Sequence, residues 1–301
     1  MGYINIIVGS DAKISIHHSQ LLLNNITSGD TIDYPLEDIN SIVIESLQSI
    51  ITTKSLIELA KNNVAVYFCD EYHLPSAQLL NYNGFYRNLQ TYNIQTSCSK
   101  PVIKRLWQSI VCQKITNQGK VLQLCEKNDC VSTLTNKVLS GDNNNIESIA
   151  ALKYFKELFG KSFARGQNSI INSALDYGYS IIRGAIARSV VAHGLVPYIG
   201  IHHCNQLNAF NLVDDIIEPF RPVVDLYVYN NIRDISTPDL TRAIKQDLVG
   251  LLNVDVTINN KRYPISYAID MCITSIINYM GNKNAMLHLP QILPLELHRY
   301  E

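Results

Sequence analysis

The sequence predicts an α+β protein with a small β-rich N-terminal domain and a larger, mainly α-helical C-terminal domain, and three observations predict it. Short strand-like apolar runs separated by turn residues fill residues 3–77. The periodicity fades in "LPSAQLLNYNGFYRN", a stretch rich in Pro, Ser, Asn and Gly. After Pro101 the apolar spacing turns helical and stays so. The expected division is residues 1–80, a connector at 81–100, and residues 101–301.

Taken in order, INIIV, KISIHH, LLLNN, TIDYP, SIVIE and VAVYF read as strands. A crossover helix over Thr53–Lys61 precedes the last of them, and Asn62 and Asn63 suit its C-terminal turn because asparagine tolerates the left-handed conformation. In "VIKRLWQSIVCQKITNQGKVLQLC", Val102, Leu106, Ile110 and Val111 form an inward face, with Lys104 and Arg105 on the other side. "GDNNNIE" reads as a loop entering a helix, with an Asn N-cap and Glu147 in the first turn, where any acid favours the macrodipole. "NSIINSALDYGYSIIRGAIARSVVAHGL" runs for roughly seven turns to a stop at Gly194. "VDVTINNKRYPI" reads as a hairpin turning at Asn259 and Asn260.

Composition sets limits on function. The 301 residues, 47% of them hydrophobic, suffice to fill the cores of two domains. Only 17% are charged and the net charge is -1, so no global basic field marks a nucleic-acid binder; any such contact would come from local basic patches. Seven cysteines, odd in number and without a CxxC pair, argue against a disulfide framework and a structural zinc site, and reduced thiols fit the cytoplasm. The start "MGYINIIVGSDAKISIHH" lacks a basic stretch before a long apolar core, and Ile6 breaks a myristoylation pattern. No apolar run approaches the roughly 18 residues of a membrane span, so no membrane is expected as a partner.

Chemistry concentrates in "IGIHHCNQLNAFNLVDDIIEPFRP". On a helix over 206–217, Phe210, Val213, Ile216 and Ile217 form one face, and Asn208, Asn211, Asp214, Asp215 and Glu218 the opposite one, so the carboxylates are expected to converge. Pro219 should end this helix near Glu218. His202 and His203 precede it in a segment able to fold back, and an imidazole with one or two carboxylates makes a divalent-metal site. A solvated acidic face and a surface histidine pair account for the same residues, and Glu147 alone reads as a structural helix-start acid.

Three separated motifs tip the balance. Glu147 followed by SIAA, then "NSALDYGYSIIRGAIARSVVAHGLVPYIGIHH", then "NQLNAFNLVDDIIEPFRPVVD" resemble the Cas1 family, the universal spacer-acquisition integrases of CRISPR systems, and most of all its type II members. The resemblance spans the chain and implies that Glu147, His203 and Glu218 are catalytic ligands of Mg2+ or Mn2+. The Gly-x-x-His match from Gly200 selects His203 over His202, which would stack or hydrogen-bond nearby. Asp215 matches a further acid, in the second shell or a ligand itself; Glu218 stands where other members carry Asp. Asp214 is expected as a solvated neighbour and Cys204 as a small packing residue.

The implied activity is that of a metal-dependent DNA endonuclease and integrase, which inserts short fragments as new spacers into a CRISPR array by transesterification, in defence against phage and plasmids. The implied partners are a second copy of the chain, joined through the N-terminal domain, and a Cas2 dimer in a heterohexamer. Double-stranded DNA, the type II effector nuclease and an accessory adaptation protein complete the set. Candidate DNA contacts are Arg87, Lys104, Arg105, Arg165, Arg183, Arg188 and Arg221, the last able instead to pair with Asp215 or Glu218. A branched-DNA repair nuclease and an inactive scaffold of the adaptation complex are the alternatives.

Overall fold

Alternating burial along β2 (Ala12–His17), with Ala12, Ile14 and Ile16 turned inward and Lys13 and His17 outward, shows how the first part of the chain is built. The structure is a computed structural model and describes residues 4–71, 75–81, 88–233 and 240–298. It divides into two units, residues 1–86 and 87–301.

The first unit begins with β1 (Ile4–Val8) and continues through β2, β3 (Gln20–Asn25), β4 (Thr31–Pro35), β5 (Ile39–Ile44), β6 (Ile50–Ile51), α1 (Thr53–Lys61), β7 (Ala65–Cys69) and β8 (Pro75–Leu79). Among the described residues these strands form two four-stranded sheets, in the orders β1-β5-β7-β8 and β4-β3-β2-β6. β5, central and parallel to β1 and β7, is buried along its whole length, as a strand covered on both faces must be. Ile14, Leu21, Ile42, Leu59 and Val66 meet in the core between the elements. Thr52 caps α1 by accepting a hydrogen bond from the Ser55 amide, and Asn63 closes its end at φ 59°.

The second unit opens with α2 (Asn88–Ser97), inside the stretch read from sequence as a connector. Then come α3 (Lys100–Leu124), α4 (Ile146–Phe159), α5 (Ile170–Ala192), α6 (Asn211–Ile216), α7 (Arg221–Asn231) and α8 (Arg242–Gly250). β9 (Val254–Ile258), β10 (Lys261–Pro264), α9 (Ile265–Gly281) and β11 (Gln291–Leu297) complete it. The architecture is the expected β-rich region followed by a mostly helical one. α5 is the buried axis, packed by α6, α7, α8 and α9. Gly178 makes its contact with α7 and α8 possible, because a Cβ there would stand 2.5 Å from Val224 and 3.2 Å from Leu248. α3 packs against α4, α7 and α9. The β9–β10 hairpin turns at Asn259 and Asn260, φ 51° and 62°, and β11 pairs with β9 on its other edge, a strand the sequence reading did not anticipate. All seven cysteines are free, and no described helix is long and apolar enough to cross a membrane.

Candidate active site

α3 supplies the floor. Trp107, Ile110, Val111, Lys114 and Gln118 recur at helical spacing on its buried stripe, so a lysine sits where an apolar residue would normally be. The start of α4 brings Glu147 to it. The Asp142 carboxylate accepts hydrogen bonds from the amides of Ile146 (2.9 Å) and Glu147 (3.0 Å) and caps this helix. Asn145, expected as the cap, instead adopts φ 53° and makes no capping hydrogen bond; the turn at Asp142 and Asn145 carries the earlier acid to the helix end. Glu147 thereby accepts a hydrogen bond from the Lys114 ammonium at 2.7 Å.

The loop before α6 is tied to Asp215. This carboxylate is wholly buried, and its oxygens accept from the amides of Ile201 (2.5 Å), His202 (3.0 Å) and His203 (3.1 Å) and contact His203 Nδ1 at 2.7 Å. Wrapping a loop this tightly leaves no room at Gly200: a Cβ would collide with the His203 carbonyl oxygen and approach Asp215 to 2.9 Å. His202 stacks on Trp107, ring centroids 4.5 Å apart and planes 1° from parallel, while His203 meets the same indole edge-on. Adjacent imidazoles thus take different tasks, His202 on the aromatic wall and His203 on Asp215.

Beyond α6 the chain turns at Pro219, whose carbonyl accepts from the Asn117 side chain (2.7 Å), and Glu218 enters the interior. Its Oε1 accepts from Arg221 Nε at 2.9 Å and its Oε2 forms an ion pair with Lys114. The three acids of this segment therefore do not converge on one helix face, contrary to the sequence expectation. α6 is only six residues long, which places Glu218 past its end, and Asp214 points elsewhere, to Arg183 (2.6 Å) and Asn208 (2.7 Å). Asp214 is an ion-pair member and not a solvated neighbour; Cys204 is exposed and not packed.

Opposing forces set the charges. Burial opposes the charge on Lys114, but Glu218 and Glu147 outweigh it and raise its pKa. Burial would raise the carboxyl of Glu218, but Arg221 and Lys114 outweigh it and lower it. The Asp215 hydrogen bond lifts His203 above 6.5 against its partial burial, with Asp215, Glu218 and Glu147 adding their fields. Glu147, His203 and Glu218 thus share one electrostatic neighbourhood.

Among the described residues, no three His, Cys, Asp or Glu side chains are arranged as they stand to hold a metal ion. The Lys114 ammonium lies between the two glutamates and is a cation in its own right. Glu218 Oε2 is buried, with that ion pair and no aligned hydrogen bond. With Asp215 engaging Nδ1, a neutral His203 carries its proton there and its lone pair on Nε2. The two glutamate carboxylates on the Lys114 ammonium, and the His203 imidazole whose pKa both raise, are donors of the type that Mg2+ or Mn2+ accepts.

Of the basic residues, Arg221 is buried in its pair with Glu218 and lies 4.7 Å over the Tyr179 ring, the salt-bridge alternative among its two expected roles. Arg165 binds Asp176 and Asn172, and Arg183 binds Asp214. Lys104 and Arg105 are exposed on α3; Arg87 lies outside the described residues. Sequence reasoning missed Lys114, whose signal was its place on the apolar stripe of α3, and Asp225 on α7. Asp225 accepts hydrogen bonds from Tyr154 (2.9 Å) and Tyr179 below the site, and burial lifts its carboxyl to about 6 against those bonds.

Fold and site together define an α+β protein whose helical unit carries an acid–histidine centre suited to a cation. The family model of CRISPR associated protein Cas1 matches residues 6–240, and the chain belongs to the Cas1 family. A CRISPR-associated endonuclease Cas1 of Neisseria meningitidis serogroup C is 38% identical over 309 residues, covering 100% of both chains. Among solved structures, a casposase bound to integration product superposes with a TM-score of 0.79 at 20% identity, over 95% of this chain and 92% of that one. A chain of a partial Cas6-RT-Cas1–Cas2 complex does so with 0.58 at 18% identity, over 94% and 97%. At these identities the two structural likenesses are likenesses of fold.

Proposed function

We propose that this Cas1-family chain is a divalent-metal-dependent DNA integrase that joins short DNA fragments into a CRISPR array as new spacers. The observation that carries the reading is that Glu147 and Glu218 share the Lys114 cation, with His203 close enough for both acids to raise its pKa. Glu147, Glu218 and His203 Nε2 would hold Mg2+ or Mn2+. Bound there, the ion would supply Lewis acidity at the attacked phosphodiester and ease ionisation of the attacking hydroxyl. Asp215 keeps the His203 proton on Nδ1 and the ring in place. Arg221, paired with Glu218, fixes that carboxylate's direction. The reaction exchanges one phosphate ester for another: a fragment's 3′-hydroxyl oxygen bonds to phosphorus as the bond from phosphorus to a repeat oxygen breaks, so no nucleoside triphosphate is consumed.

The Cas2 named in the structural neighbour's complex motivates Cas2 as this chain's partner, with a homodimer formed through residues 1–80 and duplex DNA as substrate, in the cytoplasm. The type II assignment, with its effector nuclease and accessory adaptation protein, rests on sequence resemblance. The test is strand joining by purified protein, with and without Cas2, using a labelled fragment and a supercoiled repeat-bearing plasmid. Metal-dependent joining that needs Cas2 supports integration; cleavage of branched DNA without joining would favour a repair nuclease, and no activity in any metal a scaffold.

A further inference from the structure

Lys114 is the least expected group in the molecule, a buried ammonium in contact with two carboxylates on the stripe of α3. One helical turn on, Gln118 is 2% exposed, and its Oε1 is buried without a hydrogen-bond partner. Residues four apart on a helix share a face. Both line one cavity of about 210 Å3, together with Phe155, Tyr179, Glu218 and Arg221. An ammonium needs acceptors, and a buried amide oxygen needs a donor.

We propose that Lys114 has two seats, one between Glu147 and Glu218 and one on Gln118 Oε1, and that a divalent cation binds the glutamates by displacing the ammonium from the first to the second. This rests on the metal reading of the site. Without a divalent ion, Lys114 keeps the buried Glu218 and the half-buried Glu147 from repelling one another and so keeps the site assembled. Its flexible four-carbon stem lets the head move while the helix stays fixed. Gln118 Oε1 supplies a hydrogen-bond acceptor for the displaced ammonium, and the ammonium in turn satisfies that buried oxygen.

The experiment compares the full-length protein with Lys114→Met and Gln118→Leu, reading thermal melts in chelator and in Mn2+ and the Mn2+ affinity by calorimetry. Lys114→Met should lower the melting temperature in chelator by roughly 5 °C. It should also bind Mn2+ about tenfold more tightly, since no resident cation competes. Gln118→Leu should melt in chelator like the parent and bind Mn2+ about tenfold more weakly, which a merely structural glutamine would not do. Equal Mn2+ affinity in all three proteins overturns the displacement and leaves the metal centre standing. Absence of Mn2+ binding in all three removes the metal centre and the displacement with it. If Lys114→Met does not fold, Gln118→Leu decides: weaker Mn2+ binding supports the two seats, and unchanged binding overturns them.

Discussion

Asp215 and Glu218 lie three residues apart and are both buried, but they are satisfied by different kinds of partner. Asp215 is held by three backbone amides and an imidazole, groups fixed by the chain itself. Glu218 is held by the side-chain cations Lys114 and Arg221. Backbone amides cannot leave without unfolding the loop, whereas an ammonium on a flexible stem can give way to another cation. One carboxylate therefore shapes the site, and the other, with Glu147, offers an exchangeable position for positive charge.

The largest expected effect separates these roles by activity. Glu147→Gln, His203→Ala or Glu218→Gln should each reduce strand joining by about 10²–10³-fold, the scale of losing an electrostatic group at a reacting centre. Circular dichroism of each variant should remain that of the parent. Next, Asp215→Ala leaves four donors without their acceptor and should cost about 3 kcal/mol or more of stability in denaturant titration. A cost near zero would mean that the loop is held by something other than Asp215.

A pH series sharpens the contrast through His203. Its pKa is raised in the folded chain, so protonated His203 contributes stability that is whole below 6.5 and is lost as pH rises through the higher folded value. The same proton competes with a cation for Nε2. Acidification from about pH 8 to about 6 should therefore raise the melting temperature of the chelated parent relative to His203→Ala, while weakening Mn2+ binding by the parent. The smallest effect falls on the acid that points away. Asp214→Asn breaks a partly exposed pair with Arg183 and should change stability by less than about 1 kcal/mol, with strand joining intact.

Much of the framework could be read from the chain. Short apolar runs between turn residues mark β1 to β5 and β7, a continuous helical spacing gives α3 and α5, and the Asn259–Asn260 pair dictates the β9–β10 turn. β11 escaped because two prolines interrupt the segment around it and its pairing with β9 is non-local. The His203 choice came from the family's Gly-x-x-His match, and the packing around Gly200 explains why a glycine stands there. The divergence of Asp214, Asp215 and Glu218 was not legible, because a helical wheel assumes a helix that continues. α6 stops after six residues, and the turn at Pro219 redirects Glu218 inward. Lys114 was hidden for another reason: its role depends on partners 33 and 104 positions away, which no local pattern records.

In the proposed mechanism Glu147, His203 and Glu218 hold a divalent cation at the position Lys114 otherwise fills. A crystal of the full-length protein grown with Mn2+ and measured for anomalous scattering tests this directly. One manganese peak is expected, bonded to both glutamates and to His203 Nε2, with the Lys114 ammonium moved away from between them. A peak elsewhere, or Lys114 still bridging the glutamates at saturating Mn2+, would contradict it.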